Sequence, residues 1–195
     1  MSENGVTNVL IVGVGGQGII LASDVLSKAA AKAGLDVKKN EIHGMAQRGG
    51  SVSSHIRFGK EVSSPIIKTG EADILASFEL METVRYWPFM SENGKLIVND
   101  HKILPPAVFT GQQPYPDGII NQLKDRVPEA IVIDGLDVAN KIGNPRVLNV
   151  IFLGIMSKFL SIPVESYEEV LKESLKPKLV DINLQAFIQG RALAG

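Results

Sequence analysis

The sequence contains no cysteine among its 195 residues. This excludes a disulfide framework, a thiolate zinc site and a catalytic cysteine. The chain also cannot hold an ordinary iron–sulfur cluster, because such clusters are bound by cysteine thiolates. Any redox chemistry in which this protein takes part must therefore use a bound organic cofactor or a partner chain.

An excess of charge of one sign is also lacking, since 20 Lys and Arg residues oppose 21 Asp and Glu residues, giving a formal net charge of −1. No basic surplus favours a nucleic acid or an anionic membrane as partner, and we expect neither. The longest run of apolar residues and glycine, Val150 to Met156, is far shorter than the roughly 20 residues that span a bilayer. Met1 to Thr7 is polar without a basic cluster, so we expect no signal peptide and a cytoplasmic location.

The hydrophobic pattern predicts an α/β fold. Asn8 to Gly13 is typical of a buried parallel strand, a helix follows as far as Lys32, and Asp36 to Glu41 forms a second strand. Strands and helices alternate as far as residue 143, and the remainder is helical. We expect one domain over residues 1–195: a Rossmann-like, mostly parallel sheet flanked by helices in 1–143, with a β-hairpin insertion, and a helical C-terminal extension in 144–195.

The β-hairpin insertion is predicted after the second strand. Ser51 to Phe58 alternates between apolar and polar residues, and Gly59 with Lys60 suits a two-residue turn, so a return strand is expected over Glu61 to Ile67. The polar side of the first hairpin strand has two interpretations, the wall of a groove or a solvated sheet face. That side consists of Ser51, Ser53, His55 and Arg57.

A glycine-rich turn follows the first strand directly. It reads Gly13-Val14-Gly15-Gly16-Gln17-Gly18, which fits G-x-G-x-x-G and opens a helix, a context in which backbone N–H groups bind phosphate. A dinucleotide site also needs an acidic residue at the end of the second strand, and Glu41 lies near that place. The alternative is that the glycines only permit a tight turn and close packing. The candidate binding residues of this turn are Gly13, Gly15, Gly16, Gln17 and Gly18.

A second glycine-rich segment, His43-Gly44-Met45-Ala46-Gln47-Arg48-Gly49-Gly50, follows the second strand. This is the edge of an α/β sheet where ligand sites form. A guanidinium could bind phosphate or carboxylate, and the glycines allow close backbone approach. The alternative is a surface loop whose arginine pairs with a local carboxylate. The candidate residues for a ligand or interface site are His43, Gln47, Arg48, Gly49 and Gly50.

The histidines show no metal-ligand spacing, and the sequence contains no nucleophile motif, so we expect neither a metal site nor a catalytic residue. Their positions are His43, His55 and His101.

Together the segments GVGGQGI and HGMAQRGGSVSSHIRFG resemble the gamma-domain family of 2-oxoacid:ferredoxin (acceptor) oxidoreductases. The resemblance covers essentially the whole chain and is strongest to the small (beta) subunits of indolepyruvate ferredoxin oxidoreductases. Further matching segments are Ser64-Pro65-Ile66-Ile67, Ala72-Asp73-Ile74-Leu75 and Gly143-Asn144-Pro145-Arg146. The helix after Pro145 is apolar on nearly every side, so it is expected to be buried in the fold or between subunits.

The resemblance implies a supporting subunit that is inactive alone and binds no cofactor firmly. A large catalytic partner subunit would carry thiamine diphosphate, Mg²⁺ and the iron–sulfur clusters. The complex would decarboxylate an aryl 2-oxoacid such as indolepyruvate oxidatively to the acyl-coenzyme A and pass the electrons to ferredoxin. His43 to Gly50 would face the partner's active site or the coenzyme A channel, with Arg48 as anion contact and Gln47 as polar contact. A homodimer is a further expectation.

Three alternatives stay open. The chain could be the gamma subunit of a related pyruvate, 2-oxoglutarate or ketoisovalerate oxidoreductase. It could be a free-standing nucleotide-binding redox protein that uses the turn Gly13 to Gly18 alone. It could also be a non-catalytic interaction module, in which both glycine-rich segments only shape an interface.

Overall fold

The computed structural model of the protein describes residues 5–44 and 50–195, which form six strands and eight α-helices. The strands are β1 (Val6–Val14), β2 (Asp36–His43), β3 (Ser51–Gly59), β4 (Ala72–Ser77), β5 (Met90–Asn99) and β6 (Ile131–Ile133). The helices are α1 (Ile19–Lys32), α2 (Leu80–Tyr86), α3 (Pro106–Phe109), α4 (Ile119–Arg126), α5 (Gly135–Ile142), α6 (Leu148–Ser157), α7 (Val164–Ser174) and α8 (Pro177–Leu193). Two 3₁₀ turns cover Trp87–Phe89 and Pro145–Val147.

The strands form one sheet in the order β2-β3-β1-β4-β5-β6. The pairs β1–β4, β4–β5 and β5–β6 are parallel, whereas β3 is antiparallel to both of its neighbours. All strands except β3 therefore run in the same direction. This confirms the predicted mostly parallel α/β sheet flanked by helices.

The central strand β1 is apolar on both sides because helices cover both faces of the sheet. Val9 and Ile11 pack into a core built with α1, α6, α7 and α8. Leu10 and Val12 point to the opposite face and pack into a smaller core with α2 and α4. The run of apolar residues in β1 thus reflects burial of successive side chains on alternate faces.

Helix α6 is buried from Asn149 to its last residue, Ser157, so the chain's own fold accounts for its apolar character. It crosses α8 at two glycines. A Cβ added to Gly154 would lie 2.2 Å from the carbonyl oxygen of Phe187, and one added to Gly190 would lie 2.1 Å from that of Ile151. No helix in the described ranges 5–44 and 50–195 is long and apolar enough to cross a membrane.

The return strand predicted over Glu61 to Ile67 is wrong, because this segment has no regular secondary structure. The antiparallel hairpin is instead formed by β2 and β3. Strand β3 bonds β2 along one edge and β1 along the other, from Val6–Gly59 to Val14–Ser51. No edge of β3 is left with which a third strand could pair.

The polar side of β3 is buried at Ser53 and His55, whereas Arg57, near the end of the strand, lines a cleft with Asn8 and Asp73. Ser53 and His55 are 0% and 2% exposed, so this part of the strand is not a solvated face. The N–H of Ile67 donates to Nδ1 of His55 at 3.2 Å, and the ring of Phe89 packs edge-on against the imidazole. Arg57 ties the same segment down, since its guanidinium donates to the carbonyl oxygen of Ser64 at 3.0 Å.

Candidate functional site

The candidate site lies at the carboxyl edge of the sheet, where β1, β2, β4, β5 and β6 all end. Ligands of open α/β sheets bind at this edge, next to the point at which the chain connections change direction across the sheet. Here the chain leaves β1 toward β2 and β3, and it leaves β4 toward β5 and β6. The change of direction therefore falls between β1 and β4, beside the glycine-rich turn.

The side chain of Gln17 closes the space between the ends of β1 and β4. Its Oε1 accepts a hydrogen bond from the N–H of Val14 at 2.7 Å, and its Nε2 donates to the carbonyl oxygen of Phe78 at 2.9 Å. Gly13 leaves room for this amide, because a Cβ there would lie 2.7 Å from Oε1 of Gln17 and 2.9 Å from Cβ of Phe78. Both ends of the Gln17 amide thus hold the turn together.

Two buried asparagines that no sequence motif singles out extend this bonding. Nδ2 of Asn99 donates to the carbonyl oxygen of Phe78 at 3.1 Å, and its Oδ1 accepts from the N–H of Gly135 at 3.0 Å. Asn149 on α6 donates to the carbonyl oxygen of Gly18 at 3.3 Å. In the sequence, Asn99 is marked only as a polar residue at the end of an apolar strand, and Asn149 only as a polar residue within an apolar helix. The ends of β1, β4 and β5 and the start of α5 are therefore held in one arrangement.

The glycine-rich turn leads into α1 through left-handed backbone at Gly16 (φ 101°) and Gly18 (φ 83°). Gly18 is the N-cap of α1, and the first turn of that helix carries no capping side chain and no acidic residue. The N–H of Gly15 is already engaged, because it donates to the carbonyl oxygen of Gly50 at 2.9 Å. The two predicted glycine-rich segments are therefore in direct contact, through Gly15 and Gly50.

The strand order does not match that of a dinucleotide site. In such a site the second strand lies beside the first, and its terminal carboxylate reaches the ribose. Here β3 separates β1 from β2, so Glu41 lies two strand spacings, about 9.5 Å, from β1. Its carboxylate accepts instead from Nζ of Lys39 at 2.7 Å.

The second glycine-rich segment is described only at its two ends. His43 ends β2 with its side chain largely exposed, 3.5 Å from the carboxylate of Glu41. The N–H of Gly44 donates to the carbonyl oxygen of Ser51 at 2.7 Å. The predicted site residues Gln47, Arg48 and Gly49 lie outside the described residues.

A cleft of about 430 Å³ opens on the other side of the glycine-rich turn, between α1, the end of β5 and the 3₁₀ turn that precedes α6. We name it the Arg146 cleft. Its walls include Gly16, Gly18, Asn99, His101, Arg146 and Leu148. Its volume lies within the range of small-molecule sites, roughly 300 to 1,000 Å³.

No group of three or more His, Cys, Asp or Glu side chains that could hold a metal ion is found in residues 5–44 and 50–195. The carboxylate of Glu79 is buried at the carboxyl end of β4, where it caps α2 by accepting from the N–H of Glu82 at 3.0 Å. It also accepts from the N–H of Ile103 at 3.1 Å and from the hydroxyl of Tyr115 at 2.9 Å. Glu79 thereby fastens the loop after β5 to the rim of the site.

Known proteins with similar sequences show which family this geometry belongs to. Residues 8–193 match the family described as pyruvate ferredoxin/flavodoxin oxidoreductase. The chain is 41% identical over 194 residues to the indolepyruvate oxidoreductase subunit IorB of Archaeoglobus fulgidus, covering 96% of each chain. It is 29% identical over 192 residues to the 2-oxoglutarate synthase subunit KorC of Methanothermobacter marburgensis, covering 94% of each chain.

Solved structures of low sequence identity share the fold. The chain superimposes on the gamma subunit of keto/oxoacid ferredoxin oxidoreductase from Geobacter sulfurreducens with a TM-score of 0.71 at 21% identity. The superposition covers 96% of this chain and 98% of that subunit. The arrangement of strands and helices described above is therefore that of this subunit.

Proposed function

The chain belongs to the pyruvate ferredoxin/flavodoxin oxidoreductase family and is a small subunit of a 2-oxoacid oxidoreductase, and we propose that its complex acts on an aryl 2-oxoacid such as indolepyruvate. The observation that carries this choice is the difference in identity between two relatives that each match nearly the whole chain, over 96% and 94% of it. The indolepyruvate oxidoreductase subunit is 41% identical and the 2-oxoglutarate synthase subunit 29% identical. This difference favours the aryl substrate over the aliphatic 2-oxoacids of the related enzymes.

We place thiamine diphosphate, Mg²⁺ and the iron–sulfur clusters on a large partner subunit. The residues of this chain do not fit these groups, because the chain has no cysteine and its described residues offer no metal-binding cluster. In this division of labour the partner's cofactors supply the decarboxylation and electron-transfer chemistry. This chain contributes the rigid carboxyl edge built around Gln17 and Asn99. Ferredoxin is the proposed electron acceptor of the complex.

We further propose that the segment His43 to Gly50 contacts coenzyme A in the complex, with Arg48 as the anion contact and Gln47 as a polar contact. The hydrogen bond from Gly15 to Gly50 supports this, because it joins the end of the segment to the glycine-rich turn at the edge where ligands of α/β sheets bind.

The Arg48→Ala variant should raise the KM for coenzyme A in the assembled enzyme. Arg126→Ala, on the exposed end of α4, serves as the control. An unchanged KM and kcat in the Arg48→Ala enzyme would remove this assignment.

The first experiment is an anaerobic pull-down of the tagged chain from its native extract, with mass spectrometry of the co-purifying chains. A stoichiometric brown partner that contains thiamine diphosphate supports the proposal. The purified complex is then assayed for ferredoxin reduction with indolepyruvate, phenylpyruvate, pyruvate, 2-oxoglutarate and ketoisovalerate. We expect kcat/KM for indolepyruvate to exceed that for the aliphatic acids at least tenfold.

Two outcomes count against the proposal. A preference for pyruvate, 2-oxoglutarate or ketoisovalerate would make the chain the gamma subunit of the corresponding oxidoreductase. A colourless chain without a partner that binds NAD(P) or a flavin would instead favour the free-standing nucleotide-binding protein. The position of Glu41, two strands away from β1, speaks against that second outcome.

A further inference from the structure

Strand β2 is the outermost strand at one end of the sheet, and only one of its two edges is paired. Along that edge it pairs with β3, from Asp36–Gly59 to His43–Val52. No strand in residues 5–44 and 50–195 pairs with the other edge, which we name the outer edge of β2. An unpaired strand edge is a template on which another strand can form hydrogen bonds, so its side chains decide whether pairing is opposed or favoured.

The pairing with β3 fixes which residues of β2 direct their backbone groups to the outer edge. The N–H of Gly44 donates to the carbonyl oxygen of Ser51 at 2.7 Å, and these two residues continue the register of the β2–β3 pair. In an antiparallel pair, hydrogen-bonded residues alternate with residues whose N–H and C=O point away from the partner strand. The even-numbered residues of β2 therefore bond β3, whereas Lys39, Glu41 and the other odd-numbered residues direct their backbone groups outward.

The outward-directed residues carry opposite charges. Nζ of Lys39 donates to the carboxylate of Glu41 at 2.7 Å and to that of Asp24 on α1, so both strand residues lie on the face that α1 covers. A lysine on an edge strand normally opposes pairing with a second edge, because two copies would bring like charges together. Here the two carboxylates offset the charge of Lys39, and the outer edge of β2 presents charges of both signs.

We propose that two copies of this chain associate through the outer edge of β2, with the two strands antiparallel about a twofold axis at Asn40. The axis must pass through a residue, because outward-directed residues can face only outward-directed residues. An axis at Asn40 places Lys39 opposite Glu41 of the second copy, and does so twice. An axis at Lys39 or at Glu41 would instead place that residue opposite itself, and like charges directly opposite each other are unfavourable.

The remaining side chains also suit an axis at Asn40. Val37 faces His43 of the second copy. Ile42 is 47% exposed in one chain and faces Lys38 of the second copy, whose aliphatic stem covers it. The pairing joins the two six-stranded sheets into one continuous sheet, of a size that occurs in large α/β proteins. The proposal goes beyond the function proposed above and does not depend on which 2-oxoacid the complex uses.

Charge reversal tests this pairing. The molar mass of the purified full chain is measured by sedimentation equilibrium over a range of concentrations. Lys39→Glu and Glu41→Lys each bring like charges together twice across the axis. The matched control is Lys141→Glu, which reverses an exposed, ion-paired lysine on α5, the helix that follows β6 at the other end of the sheet. Urea unfolding of each variant verifies that it is folded.

We expect the wild-type chain and Lys141→Glu to dimerise equally well. Lys39→Glu and Glu41→Lys should each raise the dimer dissociation constant at least about tenfold. An equimolar mixture of these two variants should form heterodimers, because every pair across the axis then has opposite charges again. Recovery on mixing separates the proposed pairing from a loss of folding, which mixing would not repair.

Because the sequence contains no cysteine, a single introduced cysteine tests the position of the axis. Asn40 would face itself in a non-hydrogen-bonded pair, where the two Cα atoms lie about 4.5 Å apart, a separation that a disulfide can bridge. Asn40→Cys should therefore cross-link to its own copy when oxidised with copper phenanthroline. Lys38→Cys is the control, because position 38 is more exposed in one chain but would lie roughly 14 Å from its own copy along the strands.

The proposal is overturned if the folded wild-type chain is monomeric at millimolar concentration, or if Lys39→Glu and Lys141→Glu dimerise equally well. It is also overturned if Asn40→Cys cross-links no faster than Lys38→Cys. These measurements need neither a 2-oxoacid nor the catalytic partner, so failure here is distinguishable from failure of the proposed function.

Discussion

Gln17 and Phe78 are joined across the end of the sheet, because Nε2 of Gln17 donates to the carbonyl oxygen of Phe78 at 2.9 Å. The same carbonyl accepts from Nδ2 of Asn99 at 3.1 Å, so one oxygen links the turn after β1 to the end of β5. Three amide side chains, from Gln17, Asn99 and Asn149, thus donate to main-chain carbonyl oxygens at this edge, and Gln17 and Asn99 also line the Arg146 cleft. The edge is held together by hydrogen bonds within this chain.

The first prediction concerns the hydrogen bonds of the Gln17 side chain. Gln17→Leu removes the acceptor of the Val14 N–H and one donor to the Phe78 carbonyl, and we expect it to lower the free energy of unfolding by about 1 to 3 kcal/mol. Urea unfolding followed by circular dichroism measures the change. Gln185→Leu, at an exposed position on α8, is the matched control and should stay within about 0.5 kcal/mol of wild type. Equal unfolding midpoints for the two variants would contradict a structural role for Gln17.

The second prediction uses the crossing of α6 and α8. Helix propensity alone says that Gly154→Ala should stabilise the protein by about 1 kcal/mol. The added Cβ would, however, lie 2.2 Å from the carbonyl oxygen of Phe187, so the two helices must separate. Overpacking of this kind typically costs about 1 to 3 kcal/mol, and we expect net destabilisation.

The sign of this change in unfolding free energy distinguishes the two effects. Thermal unfolding of Gly154→Ala should give a lower Tm than that of the wild type. Ser174→Ala, at the C-terminal end of α7, controls for a helical substitution away from the crossing. A raised Tm in Gly154→Ala would show that the helices are not in close contact.

The sequence predicts the fold well where the pattern is local. The apolar run of β1, the helix to Lys32 and the helical character after Asn144 are all present in the structure. The return strand Glu61 to Ile67 failed because strand pairing is not local: residues with alternating character pair only where an edge is free, and β3 has none.

In the candidate site, too, the sequence predicts the features that depend on neighbouring residues and not those that depend on residues far apart in the chain. Gly16 and Gly18 adopt the left-handed backbone that a glycine-rich turn after a strand indicates. Asn149 could not be predicted, because its partner Gly18 lies 131 residues earlier and nothing near either residue points to the other. The roles of Gln47 and Arg48 in ligand binding stay predictions.

The third prediction compares two tyrosines. Burial, together with the Glu79 carboxylate that accepts from its hydroxyl, raises the pKa of Tyr115 above its ordinary value of 10.0, so the phenol remains a donor at neutral pH. Tyr115→Phe removes a hydrogen bond to a buried carboxylate, and we expect a loss of about 1.5 to 3 kcal/mol. Faster amide exchange at Ile103, which bonds the same carboxylate, should accompany it.

Tyr167→Phe is the matched control for this prediction. The Tyr167 hydroxyl is buried without a hydrogen-bond partner in the described structure, so its removal leaves nothing unsatisfied. We expect that variant to be as stable as the wild type or more stable, because a buried hydroxyl without a partner is unfavourable. If both phenylalanine variants lose equal stability, the bond from Tyr115 to Glu79 contributes nothing specific.

The last prediction concerns pH. Burial lowers the pKa of His55 below its ordinary value of 6.5, and its Nδ1 must be unprotonated to accept from the N–H of Ile67. The unfolded chain therefore binds this proton more readily than the folded chain, so stability falls as the pH drops below about 6.5. This one group changes the free energy of unfolding by at most about 1.4 kcal/mol per pH unit.

His55→Gln keeps an acceptor but cannot take up the proton. Its free energy of unfolding, measured with urea at pH 5.0 and 7.5, should therefore depend less on pH than that of the wild type. Ser53→Ala, on the same buried side of β3, should keep the wild-type dependence, and an unflattened slope in His55→Gln would mean that His55 takes up no extra proton on unfolding.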